Sequence, residues 1–433
     1  MTTTEKKINK KQKLRNNEYY DIQNEFDNLY KKSKNGNKFK NLMSLICDDR
    51  NIMLAYRNIK KNKGSKTKGT NSLTIIDIGN ESPQKLIEYV KSRLSNYKPQ
   101  SVRRVDIPKP NGKTRPLGIP TIEDRLIQQC IKQVLEPICE AKFHKHSYGF
   151  RPNRSTHHAI ARAYSLANIN KLHYAVDIDI KGFFDNVNHS KLLKQIWSLG
   201  IQDKNLICII SKMLKAEIKG QGIPNKGTPQ GGILSPLLSN VVLNELDWWI
   251  SSQWETIKTK VPYTQVYNKN KIMKKTTKLK EIYIVRYADD FKIYCRNYNS
   301  AKRIFKATTL WLKERLSLDI STEKSQIVNL RKKYSEFLGF KLKLKPKGNK
   351  YVTTSCISNK AKTKIKTTLL TKIKMICKNT NANSVMKYNS AVLGVHNYYK
   401  IATNVCIDFS KIAFEVNRTI YNRLRTISSK KWL

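Results

Sequence analysis

Acidic residues are scarce in this chain: 32 aspartates and glutamates face 83 lysines and arginines, which leaves a formal charge of +51 at pH 7. A compact fold carrying that excess repels itself unless a polyanion neutralises it, so nucleic acid is the expected partner. The competing explanation is a lysine-rich surface left by an AT-rich genome. Paired cysteines are lacking too. The eight present, Cys47, Cys130, Cys139, Cys208, Cys295, Cys356, Cys377 and Cys406, form no Cys-x-x-Cys pair, which argues against a zinc knuckle and a disulfide framework and for thiols in a reducing compartment. No stretch approaches the ~18 to 20 apolar residues of a membrane span, and Met1 to Tyr20 is basic and polar without an apolar centre. A cytoplasmic protein associated with nucleic acid, without a membrane partner, is expected.

At 433 residues the chain is long enough for two to four structural units, each burying an interior of its own. Residues 1–41, rich in lysine and asparagine, read as a flexible or loosely helical basic extension. Leu126, Ile127, Cys130, Ile131, Val134, Leu135 and Ile138 recur at helical spacing, predicting an amphipathic helix over 123–142 that bends or ends near Pro137. Tyr174 to Ile180 alternates as a strand, with Asp177 and Asp179 on one face. Ser235 and Pro236 open another helix, and the lysine-rich residues 251–281 read as an exposed insertion. After Lys345 the pattern is helical, with stripes at Ile365, Leu369, Ile373 and Ile376 and at Phe409, Ile412, Val416, Ile420 and Leu424.

Two short apolar runs, Tyr283–Tyr287 and Phe291–Cys295, flank Ala288, Asp289 and Asp290. This is the pattern of a tight hairpin with acids at its tip. Together with Asp179 they offer three carboxylates, the natural oxygen ligands for two magnesium ions held roughly 3.5 to 4 Å apart in nucleotidyl transfer. Lys109 and Arg115 flank a Pro-Asn-Gly turn and are placed to close over a triphosphate. Gln230 precedes Gly231 and Gly232, which let the backbone approach a ligand. Lys324 is a candidate proton donor to departing pyrophosphate, or an ordinary surface charge. Asp177 is set aside. His144, His146, His157 and His158 lie close in sequence without a cysteine or acid to complete a zinc site.

Arg286-Tyr-Ala-Asp-Asp-Phe resembles the signature box of reverse transcriptases, and other boxes follow in that family's order: Asp179 to Phe184, Thr228-Pro-Gln-Gly-Gly-Ile-Leu-Ser-Pro-Leu, Asp319 to Lys324, and Glu336 to Phe340. Ser147-Tyr-Gly-Phe-Arg-Pro-Asn-Arg-Ser, Asn51-Ile-Met-Leu-Ala-Tyr-Arg-Asn and His396-Asn-Tyr-Tyr-Lys narrow the resemblance to the reverse transcriptase/maturase proteins of bacterial group II introns. It implies an α+β right-hand polymerase: fingers with an amino-terminal box over 42–172, a palm on an antiparallel sheet over 173–345, and a helical thumb over 346–433; in a departure from longer members, no endonuclease domain is expected. It implies catalysis at Asp179, Asp289 and Asp290, with two Mg2+ held by these and by Ile180. It also implies nucleotide contacts from Lys109, Arg115, Phe184, Gln230 and Lys324, with Phe184 as the gate against a ribose 2'-hydroxyl, and a primer grip at Leu338 and Gly339. The implied partners are dNTPs and group II intron RNA, or another RNA template with a DNA primer, for splicing assistance and for copying in retrohoming. Asn71 departs from the family's usual aspartate. A domesticated enzyme of a phage-defence or CRISPR-linked system and a splicing cofactor that only binds RNA remain as alternatives.

Overall fold

The helix expected over 123–142 forms as Ile122–Glu140, capped by Thr121, whose hydroxyl accepts from the Asp124 amide. It ends at Glu140, within one turn of Pro137, as the sequence suggests. It is amphipathic as expected, but its polar side is covered too: Glu123, Asp124, Arg125, Gln128, Gln129 and Gln133 are buried along with the apolar stripe. Most of their polar groups are paired by neighbours, Glu123 Oε2 excepted. Asp124 accepts from Arg93 (2.9 Å), Tyr97 (3.2 Å) and the Gln100 amide (2.8 Å), and Gln133 donates to Asn51 (2.8 Å).

This computed structural model describes residues 15–108, 112, 114–259 and 261–428. These gather into two units: the described residues up to Phe143 with Gly182–Asn244 and Arg315–Leu318, and a second made of His144–Lys181, Glu245–Glu314 and the described residues from Asp319 onward.

In the first unit, helices Gln23–Lys34 and Asp49–Lys60 pack on Ile122–Glu140. The described part of the expected amino-terminal extension is therefore folded from residue 16 onward. Ile22, Phe26 and Leu29 are buried, and the Ser33 hydroxyl donates to the Ile138 carbonyl at 2.8 Å. Each such apolar side chain contributes about 1.5–3 kcal/mol, enough to order a lysine-rich helix. Strands β1 (Arg103–Pro108) and β2 (Thr114–Ile119) pair antiparallel, Arg103 against Ile119 and Pro108 against Thr114.

The second unit is built on a four-stranded antiparallel sheet of β3 (Tyr174–Ile178), β4 (Ile282–Tyr287), β5 (Asp290–Cys295) and β6 (Gln326–Asn329), in the order β4-β5-β3-β6. Its central strands bury Ala175, Val176, Ile293, Tyr294 and Cys295. A second sheet joins β7 (Ser335–Phe337), β8 (Phe340–Lys347) and β9 (Lys350–Ile357). Strand β9 replaces the start of the expected all-helical region. Three helices follow, Asn359–Lys378, Ala382–Tyr399 and Val405–Ser428. On the first, Ile365, Leu369, Ile373 and Ile376 are buried, matching the stripe read from sequence. The region read as an exposed insertion also contributes to the interior: Trp254 is fully buried, and a helix, Val266–Thr276, buries Met273.

Candidate active site

The three candidate aspartates all belong to the second unit, and the register of its sheet explains why. Ile178 pairs with Phe291 at the end of the β3–β5 ladder, so one further step along each antiparallel strand sets Asp179 across from Asp290. Asp289 precedes Asp290 in the hairpin turn, where Tyr287 pairs with Asp290 across two residues. Solvent reaches Asp290, yet the protein packed around its carboxyl, together with the charges of Asp177, Asp289 and Asp179, pushes it up to about 6 against the pull of Lys292. Like charges gathered on one side of a sheet resist joint ionisation. The Lys324 ammonium lies 3.2 Å from the Asp179 carboxylate. Around it, the Asp179 carbonyl accepts from the Ser321 amide (2.7 Å), the Asp319 carbonyl accepts from the Lys181 amide (2.9 Å), and Ile180 bridges Ile320. Asp177 is otherwise engaged: it pairs with buried Lys292 at 2.6 Å and accepts from Ser335.

The hairpin tip is held from behind by residues that sequence reasoning did not single out. Arg286 and Asp247 have no exposed side-chain surface and form a forked ion pair, with contacts of 2.7 to 3.0 Å. The same guanidinium donates to the Ala288 carbonyl at 2.8 Å, inside the turn. Ala288 has φ 58°, the positive value that a type II' turn requires at its first central position. A left-handed residue with a side chain costs about 1–2 kcal/mol, and the Arg286 bond helps hold it there. Residues 146–149 run beside β4: the Tyr148 amide donates to the Arg286 carbonyl (2.9 Å) and the Arg286 amide to the His146 carbonyl (3.1 Å). This brings Gly149 so close that a Cβ there would lie 2.3 Å from the Ala288 nitrogen.

The histidines beside this segment are structural. His146 Nε2 donates to Glu255 (3.1 Å) while its Nδ1 faces the Tyr148 hydroxyl (3.0 Å), and His157 donates to the Tyr398 carbonyl (2.8 Å). Burial pushes His144 down to about 4, so it stays neutral near pH 7.

Leu338 and Gly339 form the two-residue turn between β7 and β8, where Phe337 pairs with Phe340. Both have positive φ, 51° and 82°, the type I' pattern, in which a leucine at the first central position is strained.

Arg115, Phe184 and Gln230 belong to the first unit, which brings them together. Arg115 Nε donates to Gln230 Oε1 at 2.6 Å, and the Thr228 amide donates to the Phe184 carbonyl at 2.7 Å. A Cβ on Gly231 would lie 2.2 Å from the Gly118 carbonyl oxygen, so the glycine is what lets the loop bearing Gln230 lie against β2. Phe183 is buried, as expected, and Phe184 is 7% exposed with its ring edge-on to Phe183. Lys109 lies outside the described residues.

Residues 107–342 match the reverse transcriptase (RNA-dependent DNA polymerase) family. The chain is 31% identical to the group II intron-encoded protein LtrA of Lactococcus lactis subsp. cremoris, over 87% of its own length and 72% of that protein. The chain belongs to the group II intron-encoded reverse transcriptases. It is also 31% identical to protein YkfC of Escherichia coli K12, across 70% of this chain and 83% of that one, and 28% identical to a putative COX1/OXI3 intron 2 protein of Saccharomyces cerevisiae, across 77% and 42%. The family match spans the aspartate hairpin and the 338–339 turn, and it makes the protein an RNA-directed DNA polymerase that works on a nucleic-acid template.

Reverse transcriptases require a divalent metal, and the donors here suit one: carboxylate and main-chain oxygens, gathered where burial, with the neighbouring acids, raises the Asp290 carboxyl. Among the described residues no three acids, histidines or cysteines already converge as a closed ligand cluster, and Asp179 is turned toward Lys324. Also among the described residues, no helix is long and apolar enough to cross a membrane.

Proposed function

We propose that this reverse transcriptase binds group II intron RNA, assists its splicing and copies it into DNA during retrohoming, with Asp179, Asp289 and Asp290 as the catalytic acids. The observation that carries the assignment of these residues is the strand register that pairs Ile178 with Phe291 and Tyr287 with Asp290, one residue from Asp179 and beside Asp289. Two Mg2+ ions, held by the three carboxylates and the Ile180 carbonyl, would activate the primer hydroxyl and stabilise the leaving pyrophosphate. Lys324 is poised at Asp179 to hand its proton to that leaving group. In this reading Lys109, Arg115 and Gln230 receive the incoming dNTP, Phe184 excludes a 2'-hydroxyl, and the Leu338–Gly339 turn grips the primer. Residues 42–172 serve as fingers, 173–345 as palm and 346–433 as thumb. The thumb's lysine-rich helices supply the phosphate contacts that affinity for RNA needs.

The test uses the full chain with a primed RNA, dNTPs and Mg2+. Wild type should produce cDNA, and Asp289→Ala should abolish synthesis while binding RNA as tightly as before. Equal synthesis by both would remove the aspartate assignment. Sequencing RNAs crosslinked to the protein in its host tests the intron assignment, which predicts a folded group II ribozyme as the main species.

A further inference from the structure

The motif His396-Asn-Tyr-Tyr-Lys closes the helix Ala382–Tyr399, and both of its tyrosines reach the turn between β7 and β8. The Tyr398 hydroxyl donates to the Leu338 carbonyl at 2.9 Å. The Tyr399 hydroxyl lies where a Cβ on Gly339 would sit only 2.8 Å from it. Each residue of the turn is thus met by its own tyrosine. Tyr398 is itself fixed: His157 donates to its carbonyl at 2.8 Å, and its ring stacks on Phe340 with centroids 5.7 Å apart. Its hydroxyl lies within electrostatic reach of Tyr287 and Asp290 at the aspartate hairpin. Leu338 meanwhile occupies φ 51°, a conformation its side chain disfavours and which a hydrogen bond to its carbonyl can lock.

We infer that Tyr398 is a positioning residue for nucleotide addition: by tying the Leu338 carbonyl to the end of a thumb helix, it fixes the grip turn relative to the aspartate hairpin and so sets where the primer's 3' end lies. This rests on the polymerase reading and on Leu338–Gly339 as the primer grip. Tyr398 does not touch the reacting atoms. Its loss therefore leaves binding of the duplex, which phosphate contacts dominate, unchanged and slows the bound complex's reaction.

Tyr398→Phe removes only the hydroxyl and keeps the ring stack. With the full chain prebound to a primed RNA, single-nucleotide incorporation at saturating dNTP should slow about tenfold, since small misplacements of reacting groups cost rate steeply. The primer–template Kd and the half-saturating dNTP concentration should stay within about twofold of wild type, since neither contact involves the lost hydroxyl. Leu338→Gly supplies a second readout, because glycine adopts positive φ unaided. In that background the turn holds its shape unaided while the tethered carbonyl remains, so Tyr398→Phe should still cost about tenfold. A Tyr398→Phe rate within twofold of wild type overturns the inference, as does a cost that vanishes in the Leu338→Gly background. If wild type itself fails to extend the primer, the polymerase reading falls instead.

Discussion

Replacing Gly149 with alanine would put a methyl group 2.3 Å from the Ala288 nitrogen, 2.9 Å from the Tyr287 carbonyl carbon and 3.1 Å from the Ala288 Cα, whereas ordinary contact begins near 3.4 Å. All three neighbours are backbone, so no side chain can rotate away. Segment 146–149 cannot easily retreat either, because two hydrogen bonds of 2.9 and 3.1 Å hold it to Arg286. The relief must come from the hairpin tip, by about 1 Å, and Asp289 follows Ala288 directly. Overpacking of this kind costs about 1–3 kcal/mol of stability, and a displacement of about 1 Å at reacting groups costs on the order of a hundredfold in rate. The assay is single-nucleotide extension on a primed RNA at saturating dNTP, with thermal unfolding and RNA binding measured on the same preparation. Gly149→Ala should unfold a few degrees earlier and bind RNA normally, but turn over about a hundredfold more slowly. A variant with wild-type turnover would show that the tip tolerates this shift and that the close approach has no catalytic consequence.

Arg286→Ala would strand a fully buried Asp247 carboxylate and release the Ala288 carbonyl. Breaking such a pair costs about 3–5 kcal/mol, so the thermal midpoint should fall far more than for Gly149→Ala, and a midpoint unchanged from wild type would refute the pairing. Acid sensitivity should centre on Glu255, which is 8% exposed beside Lys145 and His146. Burial alone would raise its carboxyl, but hydrogen bonds and charges from His146 and Lys145 prevail and hold it at about 2 against an ordinary 4.5. Because the folded value is depressed, the stabilisation is complete above about pH 4.5 and is lost as the pH falls from there toward 2. Its size is on the order of 3 kcal/mol, since each tenfold change in proton affinity is worth about 1.36 kcal/mol. Glu255→Gln should therefore flatten the acid limb of the stability curve, read by urea titrations between pH 5 and 3, and an unaltered slope would contradict the assignment.

The aspartate hairpin is legible in the sequence because its chemistry is local: the turn, the flanking strand pattern and both acids fall within a few residues, and Asp179 is joined to them by strand register alone. What escapes such reading is what the chain brings together from a distance or hides by composition. Strand β9 turns Thr353, Ser355 and Ile357 inward, so two polar residues mask the period-2 signal, and they are tolerated because the Thr353 hydroxyl donates to Asn168 and the Ser355 hydroxyl accepts from the Thr403 amide. The helix Gln23–Lys34 buries only Phe26, Leu29 and Ser33, too few apolar positions to stand out among lysines. Gly149 sits in a conspicuous motif, but no local feature reveals its close approach to residue 288.

The buried cations carry a more general consequence. In a chain of net charge +51, any lysine or arginine reads first as a nucleic-acid contact. Arg286 and Lys292 are 0% and 2% exposed, and each spends its charge inside the protein, on Asp247 and on Asp177. Both lie on the two strands of the hairpin that carries Asp289 and Asp290. An acidic hairpin tip repels itself, and in this unit the strands beneath it are pinned by internal ion pairs. Part of the positive charge is therefore structural, placed where it steadies the aspartates, and a survey of basic residues for RNA contacts should begin by setting these two aside.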